Sequence, residues 1–238
     1  MEYFHDEAGL FYTEHNINVN EDEIGTGCEC VKDCTDEKLC ECLQMSGGQR
    51  NYDEKGRLIE KKSPIFECRN TLCKCQNCFN RVVQLGPISG LKVLDFGFKG
   101  NGLICINPIQ KSSFVCEYAG EIIDEAKALQ RSKKDSKNYI LYVKEHFSSG
   151  EKVTIIDPTK IGNIGRYINH SCDPNLSLQV VRVESLCPSV ALFACRDIEA
   201  KEELTFDYGY DSSTGTIKCL CNSSNCRGFL PLDKFINV

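Results

Sequence analysis

The sequence predicts a compact, mostly antiparallel β fold flanked on both sides by segments that bind zinc. Between residues 87 and 211, short runs rich in β-branched and aromatic residues recur, and turn residues such as Asn107-Pro108 and Ser149-Gly150 separate them. Of the 17 cysteines, nine lie between Cys28 and Cys78, and three lie between Cys219 and Cys226. These two arrays predict the zinc segments, and the runs between them predict the β core.

Composition limits the classes of protein to which the chain can belong. At 238 residues and 41% hydrophobic content, it is long enough for one or two domains with a sizeable core. No stretch approaches the roughly 18 consecutive apolar residues of a membrane span, and the acidic N-terminus lacks the basic and apolar regions of a signal peptide. We therefore expect an intracellular protein without a membrane partner. The net charge of −6 disfavours direct DNA binding and suits a basic peptide ligand.

The elements follow in chain order. Residues 1–24 mix acidic and aromatic residues without a clear period and are expected to lie as an extended arm on the body. Residues 25–86 hold nine cysteines and few apolar residues, so metal must organise them. Asp124 is a suitable N-cap for one helix running through Gln130. The last three cysteines lie in residues 215–231. The predicted strands of the central region are 91–96, 103–107, 114–119, 139–144, 152–157, 176–183 and 190–196.

The first cysteine array favours a zinc cluster over disulfides or an iron–sulfur cluster. An odd number of cysteines, close C-x-C pairs and the lack of a secretion signal speak against disulfides, which form in oxidising compartments. Three tetrahedral zinc ions need twelve ligand positions, and nine thiolates fill them if three sulfurs bridge. A triangular three-zinc cluster is the economical solution. Its ligands are Cys28, Cys30, Cys34, Cys40, Cys42, Cys68, Cys73, Cys75 and Cys78.

The second array is one ligand short of a closed site. Cys219, Cys221 and Cys226 supply three thiolates, whereas a structural zinc takes four, so a fourth ligand must come from elsewhere in the chain. Four further cysteines stand in apolar strand contexts and are most simply small buried core residues. They are Cys105, Cys116, Cys187 and Cys195.

Two segments between the arrays carry a family resemblance. They are Asn169-His170-Ser171-Cys172-Asp173-Pro174-Asn175 and Glu203-Leu204-Thr205-Phe206-Asp207-Tyr208. Together with the arrays, they resemble the SET-domain protein lysine methyltransferases, especially those fused to a mariner transposase. The resemblance implies a β-clip-like SET fold with a pseudoknot, a three-zinc pre-SET cluster and a post-SET zinc lid. In that family Cys172 is the fourth ligand of the post-SET zinc.

The resemblance also implies S-adenosylmethionine as the cofactor. The glycine-rich loop Lys99-Gly100-Asn101-Gly102 corresponds to the family's loop around the methionine part of the cofactor. Asn101 stands where relatives often carry a bulky residue such as tryptophan. Asn169 and His170 would contact the adenosine, with His170 as a hydrogen-bonding structural residue rather than a general base. Arg166 would support that wall, and Tyr139 would pack against the cofactor.

Methyl transfer to lysine requires a neutral amine, although the usual pKa of lysine is about 10.4. A narrow aromatic channel lowers this pKa by desolvation, and the neighbouring sulfonium lowers it further by like-charge repulsion. The family gives the orienting role to the tyrosine of the F-D-Y segment, here Tyr208, and Tyr118 would line the same channel. Phe206 corresponds to the product-specificity position, where the lack of a hydroxyl predicts di- or trimethylation.

The resemblance implies the histone H3 tail or the nucleosome as the partner, and the nucleus and chromosome as the location. Lysine 9 of H3 is the favoured target, and lysine 36 or lysine 4 are alternatives. A competing interpretation is a catalytically weak SET module that binds chromatin, because Asn101 replaces a bulky residue. A zinc-based DNA-binding module is a further alternative, which the acidic charge balance disfavours.

Overall fold

Short β-strands make up most of the regular structure. A computed structural model describes residues 9–19, 27–31, 34, 40–60, 64–133, 139–209, 214–231 and 234–237. In these residues the chain forms 15 strands and two short helices, which confirms the predicted mostly β fold class. None of the helices in this part of the chain has the length and apolarity needed to cross a membrane.

The helices are α1 (Glu41–Met45) and α2 (Glu125–Ser132), and 3-10 turns cover Val83–Leu85, Gly97–Lys99 and Ile164–Tyr167. The strands are β1 (Phe11–Tyr12), β2 (Ile65–Phe66), β3 (Leu91–Asp95), β4 (Asn101–Cys105), β5 (Phe114–Tyr118), β6 (Gly120–Ile123), β7 (Leu141–Phe147), β8 (Gly150–Gly162), β9 (Asn169–His170), β10 (Leu176–Arg182), β11 (Ser189–Ala194), β12 (Glu203–Phe206), β13 (Thr214–Lys218), β14 (Phe229–Pro231) and β15 (Lys234–Asn237).

All seven predicted strands are present, with altered ends. The largest change is in β8, which runs from Gly150 to Gly162 instead of over 152–157. It pairs with β7 residue by residue, from Leu141 opposite Ile156 to Phe147 opposite Gly150. Partner strands rather than local composition therefore set its length. Sequence patterns missed the four-residue strands β6 and β12, which are too short to show an alternating pattern.

The strands form four sheets. Their orders are β1-β8-β7-β15 with β6 also on β8, then β2-β10-β11-β5, then β3-β4-β12-β9, and finally β13-β14. Most pairings are antiparallel, as expected. The parallel pairing of β9 with β12 sets Asn169 opposite Thr205 and His170 opposite Phe206. It brings together the two segments that carry the family resemblance.

The main core lies between the sheets and includes residues predicted for the active site. Tyr118 and Phe206 are fully buried together with Leu103, Leu141 and Leu192. Burial of this apolar surface is the main force that holds the sheets against one another. The site is therefore built partly from core residues, whose positions the packing fixes.

Three of the four remaining cysteines are buried, as predicted: Cys105, Cys116 and Cys187. Cys195 differs, because it is only half-buried. It follows the end of β11, and its Sγ donates a hydrogen bond to the carbonyl oxygen of Pro174 at 3.2 Å. The prediction of burial was wrong for Cys195 because its strand ends one residue before it.

Helix α2 begins where the sequence predicts. The Asp124 Oδ1 accepts a hydrogen bond from the Lys127 backbone N–H at 2.7 Å, which caps the first turn. Near its end, Arg131 Nη1 lies 2.7 Å from carboxylate oxygens of both Glu121 and Asp157. These ion pairs fix the helix to β6 and β8.

At Gly120, strand β6 lies too close to the backbone of β8 to leave space for a side chain. A Cβ at this position would lie 2.6 Å from the carbonyl carbon and oxygen of Asp157, and backbone cannot move aside cheaply. We expect Gly120→Ala to destabilise the protein by about 1–3 kcal/mol, as overpacking does. Thermal unfolding of the zinc-loaded protein measures this as a melting temperature lower by several degrees.

The matched control is Gly27→Ala. Its added Cβ would meet side-chain atoms of Arg69, the nearest at 3.0 Å, instead of backbone, so a smaller loss of stability is expected. Equal melting temperatures for the two variants would contradict this account of the β6–β8 contact.

Candidate active site and zinc centres

The nine cysteines of the first array form one cluster. Groups of their sulfur atoms lie within 4.8 Å of one another, and every one of the nine belongs to at least one group. None of the 17 cysteines is paired in a disulfide in this structure. The groups are Cys28, Cys30, Cys34 and Cys40; Cys28, Cys40, Cys42 and Cys68; Cys28, Cys34, Cys68 and Cys73; and Cys34, Cys75 and Cys78. This thiol-only donor set suits tetrahedral zinc.

A buried amide network orients this cluster. Asn80 Nδ2 donates to the Cys68 Sγ at 3.2 Å, and Asn51 Nδ2 donates to Asn80 Oδ1 at 2.7 Å. Both asparagines are buried. Such groups behind the ligands stabilise thiolates and fix their direction, which favours metal binding.

The second cysteine array meets the N-H-S-C segment. Sulfur atoms of Cys172, Cys219, Cys221 and Cys226 lie within 4.8 Å of one another. Four thiols close a tetrahedral set, and Cys172 is the fourth member that the resemblance implied. Asn225 Nδ2 also donates to the Cys172 carbonyl oxygen at 3.2 Å. The C-terminal segment is therefore attached beside His170 and Asn169.

One cleft joins the glycine-rich loop, β9 and the C-terminal segment. Three residues predicted for cofactor binding line it, namely Lys99, Asn169 and His170, and Tyr208 lines it as well. Sequence reasoning missed the other lining residues, which are Phe98, Ile217, Lys218, Leu220 and Leu230. Leu220 lies between the cysteines of a C-x-C pair, and Phe98 adjoins the glycine-rich loop, so their positions next to motifs were the available signal.

The glycine-rich loop approaches Asn169 too closely for a side chain at Gly102. A Cβ there would lie 2.8 Å from Asn169 Nδ2 and 2.6 Å from the ring of Phe96. Asn169 Nδ2 also donates to the Asn101 carbonyl oxygen at 3.3 Å. The loop and β9 are thus joined through the Asn101 backbone carbonyl, and Gly100, Asn101 and Gly102, also predicted for cofactor binding, are not among the residues that line the cleft.

The lining suits S-adenosylmethionine. Lys99 and Asn169 give the cleft a polar part, and Phe98, Leu220 and Leu230 give it an apolar part. A ligand with a charged amino-acid end and an aromatic base needs both kinds of surface.

Arg166 and Tyr139 contact each other instead of lining this cleft. The Arg166 guanidinium lies 4.2 Å from the centre of the Tyr139 ring and 5.1 Å from that of Tyr167. Arg166 is buried. A cation–π contact of this kind stabilises the buried charge and holds Tyr139 in place.

A row of aromatic rings extends from the cleft into the core. Ring centroids are 5.2 Å apart for His170 and Tyr208, 4.8 Å for Phe206 and Tyr208, and 5.9 Å for Tyr118 and Phe206. The Tyr208 hydroxyl donates to the Ile168 carbonyl oxygen at 3.0 Å. The three predicted catalytic residues are therefore adjacent, and Tyr208 belongs to both the row and the cleft.

His170 holds this row in position. Its Nδ1 accepts a hydrogen bond from the Tyr208 backbone N–H at 3.2 Å, and its Nε2 lies 3.3 Å from the Cys172 Sγ. Both ring nitrogens therefore have partners in the protein. This arrangement agrees with a structural role for His170 rather than that of a general base.

The two tyrosine hydroxyls stay protonated at neutral pH. Burial raises the pKa of Tyr118 well above its usual value, and burial is also the main cause of the raised pKa of Tyr208. A protonated hydroxyl donates hydrogen bonds and cannot abstract a proton. The row can thus orient and stabilise a reacting group.

Two protein-family models match the chain. The SET domain model matches residues 100–209, and the Pre-SET motif model matches residues 2–81. The chain belongs to the SET-domain family. This confirms the resemblance of the two segments and of the first cysteine array.

Named proteins related to this SET protein are methyltransferases. It is 44% identical over 214 residues to the probable histone-lysine N-methyltransferase set-23 of Caenorhabditis briggsae, covering 87% of each chain. It resembles the crystal structure of the methyltransferase domain of human histone-lysine N-methyltransferase SETMAR, with a TM-score of 0.83 and 35% identity, covering 98% of this chain and 93% of that one.

A further solved structure contains ligands. The SET protein resembles KRYPTONITE in complex with mCHH DNA, H3(1-15) peptide and SAH, with a TM-score of 0.78 and 33% identity. The match covers 94% of this chain and 48% of that one.

The second cysteine group makes a testable prediction about zinc content. Cys226→Ser removes one of four sulfurs within 4.8 Å of one another, and we expect it to lower the zinc content by one ion per chain. Mass spectrometry of native protein or elemental analysis measures this. The control is Cys195→Ser, which changes a half-buried cysteine outside both arrays and should leave the zinc content unchanged. An equal zinc content in both variants would refute a zinc site at Cys172, Cys219, Cys221 and Cys226.

Proposed function

We propose that this SET protein transfers methyl groups from S-adenosylmethionine to a lysine of histone H3, with lysine 9 favoured over lysine 36 or lysine 4. It is a protein lysine methyltransferase, as its relatives are named. The observation that carries the proposal is the position of Tyr208, which lines the cleft and packs against Phe206 in the aromatic row. A cofactor in the cleft and a lysine in the row would meet at its hydroxyl.

The cofactor supplies the methyl group as a sulfonium. The part of the chain is to bind and orient, because transfer from sulfur to nitrogen is a direct displacement. Tyr118, Phe206 and Tyr208 would surround the lysine side chain with aromatic surface and so disfavour its charged form. The Tyr208 hydroxyl, held protonated by burial, would contribute electrostatic stabilisation at the reacting methyl group.

Lys99, Gly100, Asn101 and Gly102 would hold the methionine part of the cofactor, and Asn169 and His170 its adenosine. Lys99, Asn169 and His170 line the cleft, which supports these roles. Tyr139 and Arg166 would act from behind, since their cation–π pair stiffens the wall.

We further propose three zinc ions in the pre-SET region and one in the post-SET segment. Cys28, Cys34, Cys40 and Cys68 are the candidates for the three bridging sulfurs, because each belongs to more than one group. Nine cysteines with three counted twice fill the twelve positions of three tetrahedral ions. The corresponding division of the chain is an arm over 1–24, pre-SET over 25–86, SET over 87–211 and post-SET over 215–231.

The histone assignment is supported by charge and by likeness. The chain has a net charge of −6, which suits a basic tail. The KRYPTONITE complex contains an H3 peptide of residues 1–15, a stretch that includes positions 4 and 9 and excludes position 36. A nuclear, chromosomal location follows from such a substrate.

The first test is methylation of core histones. Zinc-loaded protein is incubated with S-adenosylmethionine, and mass spectrometry identifies the modified lysine and the number of methyl groups. Tyr208→Phe should lower the rate by about 10²-fold, the order of magnitude that loss of one preorganised polar group costs. Tyr12→Phe, in strand β1 and outside the residues that line the cleft, is the control and should keep full activity.

Two outcomes would contradict the proposal. Wild-type protein that binds S-adenosylmethionine without methylating any histone would favour the catalytically weak chromatin module. Equal methylation rates for the wild-type protein and the Tyr208→Phe variant would contradict the role assigned to that hydroxyl.

The position of Phe206 leads to a separate prediction about the number of methyl groups on the product lysine. Its buried ring lies 4.8 Å from the Tyr208 ring and 5.9 Å from the Tyr118 ring, so a hydroxyl added at its edge would occupy space needed by a methylated amine. We expect Phe206→Tyr to shift the product from di- or trimethyl-lysine towards monomethyl-lysine. Phe147→Tyr, at an exposed phenylalanine, is the control. An unchanged methylation state in Phe206→Tyr at wild-type melting temperature would contradict the specificity role.

A further inference from the structure

Glu203 connects two walls of the cleft. Its Oε2 lies 2.7 Å from Lys99 Nζ, and its Oε1 accepts a hydrogen bond from Asn169 Nδ2 at 2.9 Å. Lys99 ends the 3-10 turn before β4, and Asn169 begins β9. Glu203 is the first residue of β12, which pairs with β4 on one side and with β9 on the other. It is therefore placed to hold the two walls at a fixed separation.

The Lys99–Glu203 ion pair is partly shielded from water. The two side chains are 22% and 15% exposed, respectively, whereas the pair between Lys144 and Glu151 is 29% and 53% exposed. Partly buried charges interact more strongly than charges on the surface, because water screens them less. Removal of the carboxylate would leave the Lys99 ammonium beside the cleft without its counter-charge.

The negative charge of Glu203 also affects the pKa of Tyr208. After burial and Tyr139, Glu203 is a further cause of the raised pKa of the Tyr208 hydroxyl. The charge on Glu203 thus acts across the cleft that Lys99, Asn169 and Tyr208 line.

We propose that Glu203 is a positioning residue that holds Lys99 and Asn169 in place and cancels the Lys99 charge, so that the cleft accepts the cationic sulfonium of S-adenosylmethionine. The inference rests on the proposed function, because it assigns the cofactor to this cleft. Glu203 acts through Lys99 and Asn169 and through its charge, without contact to the reacting atoms.

A specific electrostatic consequence separates this role from a purely structural one. S-adenosylmethionine carries a positive charge at sulfur, whereas S-adenosylhomocysteine, its demethylated product, carries none. The two ligands share every other group, so the ratio of their dissociation constants reports the charge balance of the cleft. An unpaired Lys99 ammonium would weaken binding of the sulfonium more than binding of the neutral product.

The experiment measures the dissociation constants of both ligands by titration calorimetry on zinc-loaded protein. Glu203→Gln keeps the size of the side chain and an oxygen that accepts from Asn169, and it removes the charge. We expect it to raise the ratio of the S-adenosylmethionine constant to the S-adenosylhomocysteine constant by roughly 3- to 30-fold. Lys99→Met alone should lower this ratio, and Lys99→Met combined with Glu203→Gln should return it towards the wild-type value.

The matched control is Glu151→Gln, which removes a carboxylate from the more exposed ion pair with Lys144, whose atoms lie 3.2 Å apart. It should leave both constants unchanged. Should Glu203→Gln fail to fold, the opposite shift in Lys99→Met still tests the charge balance.

The possible results are distinguishable. An unchanged ratio in both Glu203→Gln and Lys99→Met, with wild-type protein binding both ligands, overturns this inference and leaves the proposed function intact. If Glu203→Gln weakens binding of both ligands equally, and the added Lys99→Met substitution does not restore affinity, the charge role is also overturned. Failure of wild-type protein to bind either ligand overturns the assignment of the cofactor itself.

Discussion

The parallel pairing of β9 with β12 is the contact on which the rest of the site depends. It sets His170 opposite Phe206, although 36 residues separate them in the chain. The buried side chain of Asn175 reinforces it, because its Oδ1 accepts from the Thr205 backbone N–H at 2.8 Å and its Nδ2 donates to the Glu203 carbonyl oxygen at 2.8 Å. A buried amide with both ends satisfied fixes the register of the two segments.

In the flanking segments, clustered cysteines take the place that apolar side chains have in the centre. The central sheets close over Leu103, Tyr118, Leu141 and their neighbours, whereas the pre-SET region packs sulfur atoms against sulfur atoms. For a segment with so few apolar residues, metal binding by these sulfur atoms would supply the folding free energy. In the post-SET segment the same chemistry has a second effect. Cys172 follows His170 by two residues, so a metal there attaches the C-terminal lining of the cleft to the aromatic row.

The electrostatics of the site favour neutral reacting groups around one cationic ligand. Burial keeps the Tyr118 and Tyr208 hydroxyls protonated by raising their pKa values. The Lys99 charge is matched by Glu203, and the Arg166 charge lies against the Tyr139 ring. Matching these two cations lowers the repulsion that the site presents to a sulfonium and to the lysine that approaches it.

The sequence by itself identified the candidate metal ligands, most of the longer strands and the aromatic residues of the candidate site. The spacing of cysteines marked both arrays and showed that the second lacks a fourth ligand, since ligand number is a property of the metal and can be counted along the chain. Cys172 as that ligand followed from the family resemblance. Runs of β-branched residues gave seven strands, and Asp124 gave the start of α2, because caps and local propensity act over a few residues. The N-H-S-C and F-D-Y segments gave the aromatic residues that the structure finds adjacent.

Only the tertiary structure decided how these parts face one another. The length of β8, the lining contributed by Phe98, Leu220 and Leu230, and the half-burial of Cys195 each depend on a partner distant in sequence. The link from Glu203 to Lys99 joins residues 104 positions apart, and no local pattern marks it. Pairing across such distances is set by which strands lie side by side once the core has closed, and that information is absent from any short window of residues.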